Sequence, residues 1–258
     1  MNEPSSSTMD TARLESHLRQ LYLASFIQHH EAFAAEAAQN NQSYSAYLLA
    51  LAEQELLERA VRRRERRLKE AKIPVVKELS SFDFAAIPHL NPQKIRQLAQ
   101  GEYIEQAEPV ILVGNPGLGK THVATALAVA ATQQMRRVRF YNVAALVNEL
   151  LTAQTEGKLT AFLNKALNYQ LIVLDELGFI PFTSLGAQVM FQFCSALYQR
   201  VALIITTNLK FADWTQVFGD ERLTVALLDR LTHRAHIIEF IGDSYRFRER
   251  RRQGEGET

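Results

Sequence analysis

Eight consecutive residues carry the clearest chemistry in the chain: Gly114, Asn115, Pro116, Gly117, Leu118, Gly119, Lys120 and Thr121. An apolar run, Pro109 to Val113, precedes them, and an alanine-rich stretch with helical character follows. Strand, glycine-rich turn ending Gly-Lys-Thr, then helix is the arrangement of a phosphate-binding P-loop. The glycines let the backbone turn tightly and aim its N–H groups inward. The start of the following helix adds its dipole at the same point. Lys120 is expected to reach the outer phosphates, and the Thr121 hydroxyl to coordinate magnesium. Residues 114–121, with His122 next in line, are therefore expected to hold a nucleoside triphosphate.

A second constellation ends the apolar run Leu171-Ile172-Val173-Leu174 with Asp175-Glu176. A buried strand that delivers Asp-Glu to its carboxyl end is a Walker B element. Asp175 is expected to hold magnesium through water, and Glu176 to polarise the attacking water as general base. Adjacent carboxylates repel unless a cation joins them, and magnesium supplies that cation. A third run ends Thr206-Thr207-Asn208, a polar trio expected to face the γ-phosphate, with Asn208 orienting the same water. Further on, Arg230 in Leu-Leu-Asp-Arg-Leu is a candidate arginine finger, better placed to serve a neighbouring subunit than its own site. His233 and His236 are three apart, but no cluster of ligands accompanies them, so no metal site is expected there.

These groups need a sheet to position them. Strands are expected at Pro109–Val113, Val138–Asn142, Leu171–Leu174, Val201–Thr206 and Ala235–Ile241. Helices are expected from Lys120 to about Gln134, from Val143 to about Lys165 with a break near Glu156-Gly157, over Gln188–Tyr198, and over Arg222–Leu231. Such alternation predicts an α/β fold with a mostly parallel sheet covered on both faces, and ligands at the carboxyl ends of its strands. Ahead of it the pattern is helical. Leu14, Leu18 and Leu21 share a face. Asn40 to Ser43 breaks the pattern, and Ser43 is a potential cap for a long helix to about Lys72 with Tyr44, Tyr47, Leu48 and Leu51 as its apolar stripe. Pro74 ends that helix. The expected organisation is a small N-terminal helical domain over residues 1–74 and a nucleotide-binding domain over 75–258. The connector carries Phe82 and Phe84, expected in the core or beside a bound base.

The chain has 258 residues and is 47% hydrophobic, enough for a real core. Its apolar runs are too short for a membrane span, and its first residues do not read as a signal peptide. One cysteine, Cys194, excludes an internal disulfide and suits a reducing cytoplasm. The net charge of +1 hides asymmetry. Arg59–Lys72 carries eight basic and two acidic residues, and Arg246–Arg252 five arginines and one glutamate, leaving about −9 on the remainder. Two basic segments on an acidic body point to a polyanion partner.

The chain resembles an IstB-type transposition helper ATPase of the DnaC/DnaA-like clade of AAA+ proteins. The residues that carry the resemblance are Gly-Asn-Pro-Gly-Leu-Gly-Lys-Thr-His, Leu-Asp-Glu-Leu-Gly-Phe, Thr-Thr-Asn-Leu, Val-Phe-Gly-Asp, Leu-Leu-Asp-Arg-Leu and Asp-Ser-Tyr-Arg. It extends from Leu14 to about Arg248. The resemblance implies an AAA+ P-loop NTPase fold, ATP and Mg2+ as cofactors, and ATP hydrolysis. It also implies duplex DNA and an IstA-type transposase as partners, and a homo-oligomer with ATP sites at subunit interfaces, in the cytoplasm. By match to the family pattern Asn208 is sensor 1, Arg230 the finger and Arg246 sensor 2. The helices around Val143 to Lys165 correspond to the clade's helical insertion, which makes Lys158 and Lys165 candidate DNA contacts. Arg62, Arg63, Arg66 and Arg67 on the basic helix are further candidates. Only 17 residues follow Ile241, so a reduced C-terminal lid is expected. A DnaC-type helicase loader shares the core and stays open as an alternative. A P-loop small-molecule kinase is a second alternative, and it needs a mobile lid.

Overall fold

Short runs of β-branched and other apolar residues become the strands, and their alternation sorts the side chains onto two faces. A computed structural model describes residues 6–242. The chain divides into two compact units, with the boundary between Arg66 and Arg67.

The larger unit holds a five-stranded, all-parallel sheet. Its strands are β1 (Val110–Gly114), β2 (Val138–Asn142), β3 (Leu171–Leu177), β4 (Ala202–Thr207) and β5 (His236–Phe240), in the order β2-β3-β4-β1-β5. Ile172, Leu174, Leu203 and Ile205 point into one core, and Leu171, Val173, Ala202 and Ile204 into the other. The first core is shared with α7 (Val143–Thr155), α9 (Ser184–Leu197), α10 (Thr215–Phe218) and α11 (Glu221–Thr232). The second is shared with α4 (Pro92–Ala99), α5 (Glu102–Glu105) and α6 (Lys120–Gln133). Helix α6 is buried on nearly every side, as expected of a helix apolar all round. A short helix, α8 (Leu159–Ala166), follows α7 after the break at Gly157. The edge of β2 is covered where the Phe140 N–H donates to the Ala71 carbonyl (2.8 Å).

The five strands match the sequence expectations, with one informative difference. Strand β3 runs on to Leu177, and its pairing with β4 is irregular between Leu174 and Leu177. The irregularity has a cause: the Glu176 N–H donates to the Thr206 hydroxyl (2.9 Å) instead of a ladder carbonyl, and Glu176 takes a φ of +64°. Asp175 and Glu176 are thus set by a bulge, which re-aims side chains.

The smaller unit comprises α1 (Ser6–Gln20), α2 (Ala24–Gln39) and the first part of α3 (Tyr44–Glu70). The helical pattern ahead of Asn40 is broken at Tyr22, where φ is +56°. Ser43 caps α3 through the Ala46 N–H (3.2 Å). The expected apolar stripes are only partly used. Leu18 and Leu51 are buried, whereas Leu14, Leu21, Tyr44 and Leu48 are exposed. The reason is that the α2–α3 seam is polar. Glu55 accepts the Ser25 amide N–H (2.7 Å), and Arg59 Nε donates to its other oxygen (2.6 Å). Glu58 accepts the Ser25 hydroxyl (2.8 Å) and bonds His29 (2.9 Å). Among the described residues no helix is long and apolar enough to cross a membrane.

Burial pushes the Glu55 carboxyl up, but the Ser25 and Arg59 hydrogen bonds outweigh it and hold it below its ordinary value. A depressed folded-state pKa gives stability that is fully present above the ordinary value and lost as pH falls through the folded one. Glu55→Gln is therefore expected to speed amide exchange in the first turn of α2 about tenfold at neutral pH. Hydrogen exchange read by mass spectrometry checks this, and the gap from the parent should close as pH falls below the carboxylate range.

Candidate nucleotide site

The turn between β1 and α6 is built by three glycines at positive φ, Gly114, Gly117 and Gly119. Gly114 takes a φ of +151°, and a Cβ there would collide with the Phe240 carbonyl on β5. Gly119, the N-cap of α6, has a φ of +85°, and a Cβ there would stand 2.7 Å from the Phe82 ring. Only glycine lets the connector lie this close to the loop. Phe82 also meets Phe84 and His122 edge-on, with centroids 4.8 and 5.1 Å away. His122 Nε2 lies 3.2 Å from both the Ser81 hydroxyl and the Glu78 carbonyl. Burial lowers the His122 pKa, which favours the neutral ring.

The loop, the connector and the ends of β3 and β4 enclose a pocket of about 580 Å³. Its lining includes residues 116–122, Lys77, Phe82, Asp83, Glu176, Phe179 and Asn208. Lys120 is buried against the loop, and its ammonium donates to the carbonyls of Gly114 (2.6 Å) and Asn115 (2.8 Å). Asp175 is only 6% exposed, and one of its oxygens accepts from both the Thr121 hydroxyl (2.9 Å) and the Thr206 hydroxyl (2.7 Å). Burial raises the Asp175 carboxyl above its ordinary value, and the two hydroxyls oppose that rise in part. Thr206 therefore faces Asp175, and Thr207 caps the Leu209 N–H (3.1 Å). All three of that polar trio line the pocket, Thr206 and Thr207 buried and Asn208 half-buried.

Glu176 is exposed, and its carboxylate accepts from the Asn142 side-chain amide (2.8 Å). Asn142 at the end of β2 also caps α7, accepting the N–H groups of Ala144 (3.1 Å) and Ala145 (3.4 Å). Sequence reasoning missed Asn142. Its signal is an asparagine between a strand and a helix, opposite Asp175 in the β2–β3 register.

The pocket thus brings together the P-loop, Glu176 and Asn208, and Asp175 lies behind its lining, tied to Thr121 and Thr206. Arg230 does not line it. Its guanidinium donates to the Ala226 carbonyl (2.7 Å) and lies over the Phe191 ring at 5.0 Å. Lys158 and Lys165 line a separate groove between α7 and α8, where Lys158 pairs with Glu156 (2.8 Å). On α3, Arg62 is 3.5 Å from Glu58 and Arg67 is 3.3 Å from Glu70, while Arg63 and Arg66 are exposed. Arg246 and the basic tail lie outside the described residues.

A hard divalent cation suits the donor set, because Thr121 and Asp175 offer oxygen ligands side by side at the pocket. The buried, partly protonation-prone carboxylate gains the counter-charge it lacks when such an ion binds.

Sheet, loop and paired carboxylates together define a P-loop nucleotide-binding protein of the AAA+ class. The chain belongs to the family of IstB-like ATP binding proteins, whose profile matches residues 16–253. It is 36% identical over 241 residues to a Pseudomonas aeruginosa protein named as an ATP-binding protein of insertion sequence IS21, covering 93% of this chain and 91% of that one. A Geobacillus stearothermophilus relative, named for insertion sequence IS5376, is 33% identical and covers 94% of this chain and 97% of its own. Among solved structures, AMPPCP-bound DnaA from Aquifex aeolicus shares the fold, with a TM-score of 0.54 and 17% identity. That match covers 69% of this chain and 54% of the other.

Asp175→Asn keeps an acceptor for both threonine hydroxyls and removes a buried charge. The ligand-free variant should unfold at a temperature no lower than the parent. Nucleotide with magnesium at a hundredfold excess over the parent's Kd should stabilise only the parent, by about 2.7 kcal/mol. Thermal scans with and without ligand check both expectations.

Proposed function

We propose that this protein is a transposition helper, an ATPase that assembles with ATP on duplex DNA and stimulates a partner transposase. The observation that carries the reading is the Thr121–Asp175 bond (2.9 Å). It joins the phosphate loop to the acidic strand end inside one pocket, in a chain of an insertion-sequence family. Lys120 exchanges its two loop carbonyls for phosphate oxygens. Thr121 and Asp175 would hold magnesium, which would neutralise phosphate charge. Glu176 accepts a proton from the attacking water, and Asn208 orients that water. Asn142 holds Glu176 until it is needed. Phe82 and His122 wall the base end of the pocket. The absence of Arg230 from the lining of its own pocket supports a role in the pocket of a neighbouring copy. Arg62, Arg63, Arg66, Arg67, Lys158 and Lys165 supply phosphate contacts, and the ion pairs of Arg62, Arg67 and Lys158 would have to open.

The test is ATP hydrolysis and duplex binding by the pure protein, measured against salt. Lys120→Ala should lose nucleotide binding and, with it, assembly on DNA. Glu176→Gln should bind ATP and DNA but turn over at least about a hundredfold more slowly. Log affinity for DNA should fall linearly with log salt. Parent-like turnover in Glu176→Gln, or a flat salt response, would contradict the reading.

Arg230→Ala should lose hydrolysis by about 10³-fold. Mixing it with Lys120→Ala should restore part of the rate, because an intact Arg230 then meets an intact P-loop across subunits. No recovery at any mixing ratio confines Arg230 to a role within its own chain.

A further inference from the structure

The nucleotide pocket has two ends of different chemistry. Lys120, Thr121 and Glu176 line one end, and the connector walls the other. Phe82, Ala86 and Ile87 make that wall largely apolar, as suits the flat faces of a base. Four polar side chains interrupt it: Lys77, Ser81, Asp83 and His122. Two of them are engaged with the connector itself. The Ser81 hydroxyl donates to the Glu78 carbonyl (2.8 Å), and His122 Nε2 lies 3.2 Å from that same carbonyl. Lys77 is exposed, and an ammonium only donates. Asp83 differs from all three. One of its oxygens accepts the Ala85 N–H (3.0 Å) and caps the short 3₁₀ turn Phe84–Ala86. The other has no hydrogen-bond partner among the described residues. It is an open acceptor on a carboxylate whose orientation is already fixed.

We propose that Asp83 selects the base: its open oxygen accepts an N–H of the 6-amino group of adenine. Guanine carries a 6-oxo group at that place, and its lone pairs would face those of the carboxylate. The donors that guanine does offer, N1–H and the 2-amino group, lie side by side and suit both oxygens of a carboxylate at once. The Ala85 N–H already holds one oxygen of Asp83. The wall beside it is fixed as well, because the Phe82 ring meets Phe84 and His122 edge-on and lies against Gly119. A site that bonds a polar group of its ligand rejects an analogue without that group far better than an apolar pocket does. Asp83 determines specificity in this role and takes no part in hydrolysis. The role rests on the reading of this pocket as a nucleotide site.

The experiment is calorimetric titration of the full chain, with magnesium, by ADP, GDP and purine riboside 5′-diphosphate. Diphosphates leave nothing to hydrolyse during the measurement. Purine riboside has a hydrogen where adenosine has its amino group. The parent should bind ADP at least about tenfold more tightly than either of the others. Asp83→Asn keeps an oxygen for the Ala85 N–H and turns an amide NH2 toward the base. It should lose about tenfold for ADP, leave purine riboside diphosphate unchanged, and bind GDP as well as the parent or better. A structural defect would weaken all three alike. An ADP-to-GDP preference unchanged in Asp83→Asn overturns the proposal, as does a parent that binds ADP and purine riboside diphosphate equally. A parent that binds none of the three overturns the nucleotide reading itself, and the role of Asp83 with it.

Discussion

Two threonine hydroxyls sharing one buried carboxylate hold the nucleotide site together. Asp175 sits where an isolated negative charge is costly. Its acceptor is satisfied by Thr121 from the start of α6 and by Thr206 from β4. The Thr206 oxygen in turn accepts the Glu176 N–H. One small relay therefore fixes the phosphate loop, the acidic strand end and the neighbouring strand against each other. The bulge at Glu176 follows from it, and so does the exposed position of that carboxylate beside Asn142. Removing any member would leave a buried polar group without its partner, which costs more than the bond itself contributes.

The two units are stabilised in different ways. In the larger one, successive strand residues enter alternate apolar cores, and α6 is enclosed by the sheet and by α4. The smaller unit buries little apolar surface. Its α2–α3 seam is a polar cluster of Ser25, Glu55, Glu58 and His29, with Arg59 and Arg62 at its margin. A cluster like this fixes a geometry more than it supplies stability. It also accounts for the leucines of α3 that face away from it.

The strands were legible because β1, β3 and β4 are short runs rich in Val, Ile and Leu, and β2 and β5 are short β-branched and aromatic stretches; the ends of β1 and β4 shift by one position and those of β2 not at all. The motif residues were legible because chemistry restricts both type and spacing at Lys120, Thr121, Asp175 and Glu176; the fold sets Lys120, Thr121 and Glu176 on one pocket and Asp175 behind them against Thr121. Asn142 was hidden because its partner is 34 residues away, and adjacency of β2 and β3 is a property of sheet order. The open faces at Leu14, Leu21 and Leu48 were misread for a related reason. Periodicity marks an apolar face but not what covers it, and a Ser–Glu seam takes the place of the expected leucine packing.

Cys194 lies on α9 with 1% exposure, and burial pushes its thiol up to about 12. At physiological pH almost none of it is thiolate, the reactive form. The chain contains no other cysteine. Its surface is therefore silent toward thiol chemistry, and a cysteine introduced at any exposed position would be the only site that a fluorophore or cross-linker could label.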